Sequence, residues 1–125
     1  MSCDLTVEEA RAALDERVRE SMQWHFSPET GCPYWLERAP SLGFDPLTEV
    51  TCFADIQKFP NFDDEVLRKE DPSRFIPKAF EGRPFNVFET GGTTGMPKQR
   101  IGWDDYKTDY SEFSDHYPSD FFPQG

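Results

Sequence analysis

At 125 residues the chain has room for one domain with a single modest core. Its 13 Lys and Arg against 24 Asp and Glu leave a formal charge of −11, which repels phosphate backbones and anionic lipid and so argues against nucleic-acid and peripheral membrane binding. Aromatic residues make up 15% of the sequence, too many for a solvated acidic tail, so a packed interior is expected.

Thr6-Val7-Glu8-Glu9 reads as a capping box, in which Thr6 accepts from the Glu9 amide and Glu9 reaches back to Thr6. Val7, Ala10, Leu14, Val18 and Met22 then recur at steps of three and four, which predicts an amphipathic docking helix over residues 7–24. Arg11, Asp15, Glu16, Arg19 and Glu20 fall on its solvated faces. Ser27-Pro28-Glu29-Thr30-Gly31 is a turn. His25, just before it, reads as a helix-end residue rather than a catalytic base, because no partner motif flanks it.

Pro33 at a favoured first position predicts a short helix over Pro33–Arg38, limited by Pro40. Ser41–Pro46 is a turn, and Phe53–Lys58 is a second short helix. Asp63–Lys69 is a third, with acids at its start and bases at its end, as the helix dipole prefers. Asp71–Pro77 and Glu81–Pro84 are connectors.

Phe85–Phe88 and Gln99–Ile101 read as strands. Between them lies the chemically most informative stretch, Glu89-Thr90-Gly91-Gly92-Thr93-Thr94-Gly95-Met96-Pro97-Lys98. Glycine admits positive φ and close approach of backbone to a ligand. Successive amides in such a turn form a concavity for anions, to which threonine hydroxyls add donors and Lys98 adds charge. This combination suits a polyphosphate. It is not a Walker A loop, which requires Gly-Lys-Ser/Thr in succession opening a helix; here Lys98 stands three residues past Gly95, behind Pro97. Downstream, Tyr106, Tyr110, Phe113 and Tyr117 recur at helical steps, which predicts a helix over 103–116 packing an aromatic face on the sheet. Core packing is preferred for these rings over nucleotide stacking.

The order Thr90-Gly91-Gly92-Thr93-Thr94-Gly95-Met96-Pro97-Lys98 resembles the phosphate-binding signature of the adenylate-forming enzymes, [ST]-S-G-T-T-G-x-P-K. Thr90, Gly92, Thr93, Thr94, Gly95, Pro97 and Lys98 match it; Gly91 stands where serine is common. More loosely, the succession of short helices resembles the lead-in of the phenylacetate–coenzyme A ligase branch. The resemblance implies an α/β chain of α+β type. Residues 1–84 form a helical lead-in, and residues 85–125 form a strand–phosphate loop–strand pair with a following helix, as part of a larger adenylation domain. It implies ATP and Mg2+ as cofactors, with a small carboxylic acid and coenzyme A or another thiol as further reactants. Thr93 and Thr94 would bind the β- and γ-phosphates, the Gly91–Gly95 backbone would wrap them, and Lys98 would close the loop. The family's adenine, ribose and late-lysine elements have no counterpart here. The expectation is therefore an N-terminal piece of such an enzyme, without catalytic residues and inactive alone, with Phe121 and Phe122 left uncovered. The alternative is a small acidic interaction module with a glycine-rich hairpin.

Cys3, Cys32 and Cys52 fit neither a disulfide framework nor a zinc pattern, and reduced thiols in a cytoplasmic protein are expected. Metal binding through Cys32, Cys52 and either His25 or His116 stays open. No signal-peptide pattern and no run of about 18 apolar residues is present.

Overall fold

The capping box forms and starts the first helix. In the computed structural model, which describes residues 5–93 and 95–116, α1 spans Val7–Phe26. Thr6 Oγ1 accepts from the Glu9 amide at 3.2 Å, and Glu9 Oε2 accepts from the Thr6 amide at 2.8 Å. The helix runs two residues beyond the expected end, because Ser27 still donates its amide to the Gln23 carbonyl at 3.2 Å before turning extended.

The predicted stripe packs over its C-terminal half. Val18 is buried and Met22 half-buried, whereas Val7 and Leu14 are 63% and 43% exposed. The elements that cover α1 explain this, since they meet its later turns: α2 (Pro33–Arg38), α3 (Pro46–Glu49) and a 3₁₀ segment over Phe53–Lys58. Arg19 donates to the Thr51 carbonyl and Asp15 accepts from the Phe53 amide at 2.8 Å, so two charges expected to face solvent anchor the 51–53 segment instead.

α3 was not expected; the turn read from sequence, Ser41–Pro46, ends where this helix begins. Asp45 caps it, accepting from the Leu47 amide and the Thr48 hydroxyl, while Glu49 returns to the Asp45 amide at 2.7 Å. The third predicted helix shortens to α4, Val66–Lys69, preceded by a turn. The first connector carries a 3₁₀ turn at Pro72–Phe75, and another at Lys78–Phe80 lies between the two connectors.

The core is built from rings. Phe26, Tyr34, Cys32, Val18 and Val50 are buried, and each fully buried large apolar side chain contributes about 1.5–3 kcal/mol. Tyr34 stacks on Phe75 with centroids 4.6 Å apart, and Phe26 meets Trp35 at 5.5 Å and Phe59 at 5.7 Å. Gly31 makes this packing possible at the corner between α1 and α2. A Cβ there would stand 2.7 Å from both the His25 and Ser27 carbonyl oxygens.

β1 (Asn86–Glu89) and β2 (Gln99–Gly102) pair antiparallel, with Asn86 opposite Gly102 and Glu89 opposite Gln99. The architecture is therefore α+β: short helices gathered on α1, with a small two-stranded sheet. A second ring stack ties the sheet to α1. Trp24 meets Phe80 at 4.9 Å, Phe80 meets Trp103 at 4.8 Å, and the Arg83 guanidinium lies 4.7 Å from the Phe80 ring.

The last helix, α5 (Asp105–Asp115), corrects an expectation. Tyr106 lies on Phe88 at 5.9 Å, but Tyr110 is 73% and Phe113 56% exposed. Four-residue strands span only about 13 Å, enough for the first turn of α5 and no more. Tyr117, Phe121 and Phe122 fall outside the described residues. Among the described residues no helix is long and apolar enough to cross a membrane.

Candidate functional site

The glycine-rich loop joins β1 to β2, and its neck is closed by Thr90 and Lys98. The Thr90 amide donates to the Lys98 carbonyl at 3.1 Å, and the Lys98 amide donates to Thr90 Oγ1 at 3.0 Å. The Thr90 hydroxyl is thus engaged in shaping the loop. Gly92 has φ +64° and Gly95 φ +139°, and the Gly95 amide turns back to the Gly92 carbonyl at 3.3 Å. Both conformations favour glycine. Gly91 has no positive φ and open space where a Cβ would stand. Gly91, Thr93 and Gly95 are exposed on the rim, and Thr94 falls outside the described residues.

The charge of Lys98 is not free. Its ammonium pairs with the Asp64 carboxylate, which is held below the usual carboxylate range chiefly by this hydrogen bond. Arg100 is 79% exposed along its side chain and faces Asp105 at 3.6 Å. Lys98 and Arg100 therefore both stand beside carboxylates.

Arg68, like Asp64, is a residue at the loop that sequence reasoning missed. From α4 its guanidinium donates to the Met96 carbonyl, on the far limb of the loop, while also pairing with Glu65 at 3.1 Å. Its side chain is only 17% exposed, so the contact is an anchored one. No spacing rule could have joined residues 28 apart in a chain of short elements. Together Arg68, Lys69, Glu65, Gly95 and Met96 line a shallow recess of about 470 Å³ beside the loop.

Away from the loop, Cys32 Sγ lies 3.8 Å from His25 Nδ1. Burial lowers the His25 pKa and raises that of Cys32, so a neutral thiol beside a neutral imidazole is the state the interior favours. His25 also borders an aromatic cleft of about 340 Å³ with Phe26, Trp35, Phe59 and Phe62. Among the described residues no group of three or more His, Cys, Asp or Glu is placed to hold a metal ion.

A histidine kept neutral when folded but free to protonate when unfolded makes stability rise with pH. The contribution is complete above the unfolded value of about 6.5 and is lost as pH falls below it. The melting temperature of the chain is therefore expected to drop between pH 7 and pH 5, before the carboxylates titrate. In His25→Asn that slope should flatten. An unchanged slope in the variant would show that His25 is not its source.

No protein-family model matches the chain, and a search of curated proteins gives no match. The functional reading therefore rests on the loop, its neighbours and the signature resemblance.

Proposed function

We propose that residues 90–98 grip the phosphates of ATP in an AMP-forming, carboxylate-adenylating ligase of the acyl- or aryl-coenzyme A synthetase kind. The observation that carries this reading is the pair of positive-φ glycines, Gly92 and Gly95, in a threonine-bearing hairpin loop with Lys98 at its neck. In the reaction the substrate carboxylate attacks the α-phosphorus of ATP, the α–β phosphoanhydride bond breaks, and acyl-adenylate and pyrophosphate result. A thiol, such as that of coenzyme A, then displaces AMP. The chain's own part is to hold the departing pyrophosphate. Amides of Gly91–Gly95 and the hydroxyls of Thr93 and Thr94 donate to phosphate oxygens, and Lys98 offsets the charge that develops on them. Mg2+ would enter this site as an ion carried by the phosphates; among the described residues no group of three or more His, Cys, Asp or Glu is placed to hold it. Adenine, ribose and the acyl group are left to residues other than these. The proposed setting is the cytoplasm.

A second reading, a non-enzymatic module with a glycine-rich hairpin, is favoured by one observation: Lys98 and the loop neck are satisfied by the chain's own groups. One comparison separates the two. The purified chain is expected to bind magnesium triphosphate and to give no ATP–pyrophosphate exchange with a panel of carboxylic acids. Absence of triphosphate binding would favour the module. Substrate-dependent exchange by the chain alone would overturn the assignment of adenine and acyl binding to other residues.

A further inference from the structure

We propose that Asp64 gates the phosphate loop: its carboxylate is the resident counter-ion of Lys98, and a bound phosphate takes its place. This inference rests on the phosphate-grip reading and assigns a positioning role to a residue that the loop signature does not include.

The geometry supports an exchange rather than a fixed strut. The Lys98 side chain is 25% exposed, whereas Asp64 is 57% exposed and can turn into water without leaving a buried charge behind. The loop itself need not move far, because Arg68 holds the Met96 carbonyl from the same 63–69 segment. Replacing a carboxylate oxygen by a phosphate oxygen on the ammonium keeps its charge-assisted hydrogen bond and changes only the partner. Exposed ion pairs are weak, so the gate holds the lysine in place between ligands without locking it.

The test is calorimetric titration of magnesium tripolyphosphate into the full chain and four variants. Asp64→Asn removes the counter-ion. Asp63→Asn removes the same charge one residue away, from a group that caps the Glu65 amide at 3.1 Å. Lys98→Met removes the cation, and the Asp64→Asn/Lys98→Met double variant closes the cycle. Asp64→Asn is expected to bind roughly two- to fivefold more tightly than the parent, as an exposed pair allows. Asp63→Asn should bind nearly as the parent does, and the gain should vanish in the double variant. In the parent, carbon NMR of the Asp64 carboxyl should show its titration moving up towards the ordinary range as the ligand saturates. If Asp64→Asn binds no more tightly while Lys98→Met binds more weakly, the gate is wrong and the phosphate grip stands. A gain retained without Lys98, or matched by Asp63→Asn, reduces the effect to general charge and also overturns the gate. No binding by any form overturns the phosphate grip, and the gate with it.

Discussion

Gly31→Ala is expected to cost about 3 kcal/mol, at the upper end of overpacking penalties, because its methyl group meets two fixed backbone oxygens at once. The His25 and Ser27 carbonyls each lie 2.7 Å from the new Cβ, and Leu36 Cδ2 lies 2.8 Å away. The leucine can rotate; the carbonyls cannot. The Ser27 carbonyl accepts from the Gly31 amide at 2.6 Å and from the Thr30 amide at 3.2 Å, so any relief breaks the turn that joins α1 to α2. Cys32 and Tyr34, both buried, would shift with it. In thermal unfolding a loss of that size amounts to a fall of about 10 °C for a domain of this length. Gly43→Ala is the matched control. It has φ +80° but open space around its Cβ, so it should show only the left-handed penalty of about 1–2 kcal/mol. Equal effects at the two positions would mean that the corner at Gly31 is looser than its contacts imply.

Gly92→Val is expected to produce the largest functional loss. A β-branched residue at φ +64° is strained, and its Cβ would stand 3.1 Å from the Gly95 carbonyl that faces it across the turn. The loop must then open, carrying its amides away from a common focus. Affinity for magnesium triphosphate should fall at least a hundredfold, which corresponds to about 2.7 kcal/mol or more. Stability should fall by at least the left-handed penalty of about 1–2 kcal/mol expected at Gly43, since Gly92 has a positive φ and its Cβ also meets backbone, so binding is compared at a temperature where both forms are folded. Gly91→Ala, with a conformation open to alanine and nothing near its Cβ, should bind almost as the parent does.

The parts of this protein that could be read from sequence were those fixed by neighbours in the chain. The Thr6–Glu9 box needs only a spacing of three, and α2 needs only a proline at its first turn. Asp45-Pro46-Leu47-Thr48-Glu49 carried an equally local signal, a capping aspartate answered by a glutamate, which the neighbouring turn residues obscured. Other features depended on where distant segments met. The stripe on α1 extended over its whole length, yet only its later turns acquired a cover. The aromatic stripe on α5 was periodic in the same way, but a sheet with two short strands has no surface for Tyr110. At the loop, sequence pointed to the glycines and to Lys98. It could not reveal that Asp64 and Arg68, roughly thirty residues upstream, reach the same loop, since an ion pair between distant segments leaves no mark in local spacing.

The central claim is that residues 90–98 bind phosphate, and amide NMR tests it most directly. Magnesium tripolyphosphate and magnesium ATP would be titrated separately into isotopically labelled chain. The account predicts saturable shifts concentrated at the amides of Gly91, Gly92, Thr93 and Gly95, with Lys98 and Asp64 responding together, and their disappearance in Gly92→Val. Loop amides that stay unmoved at saturating triphosphate, or shifts of equal size in parent and Gly92→Val, would contradict it.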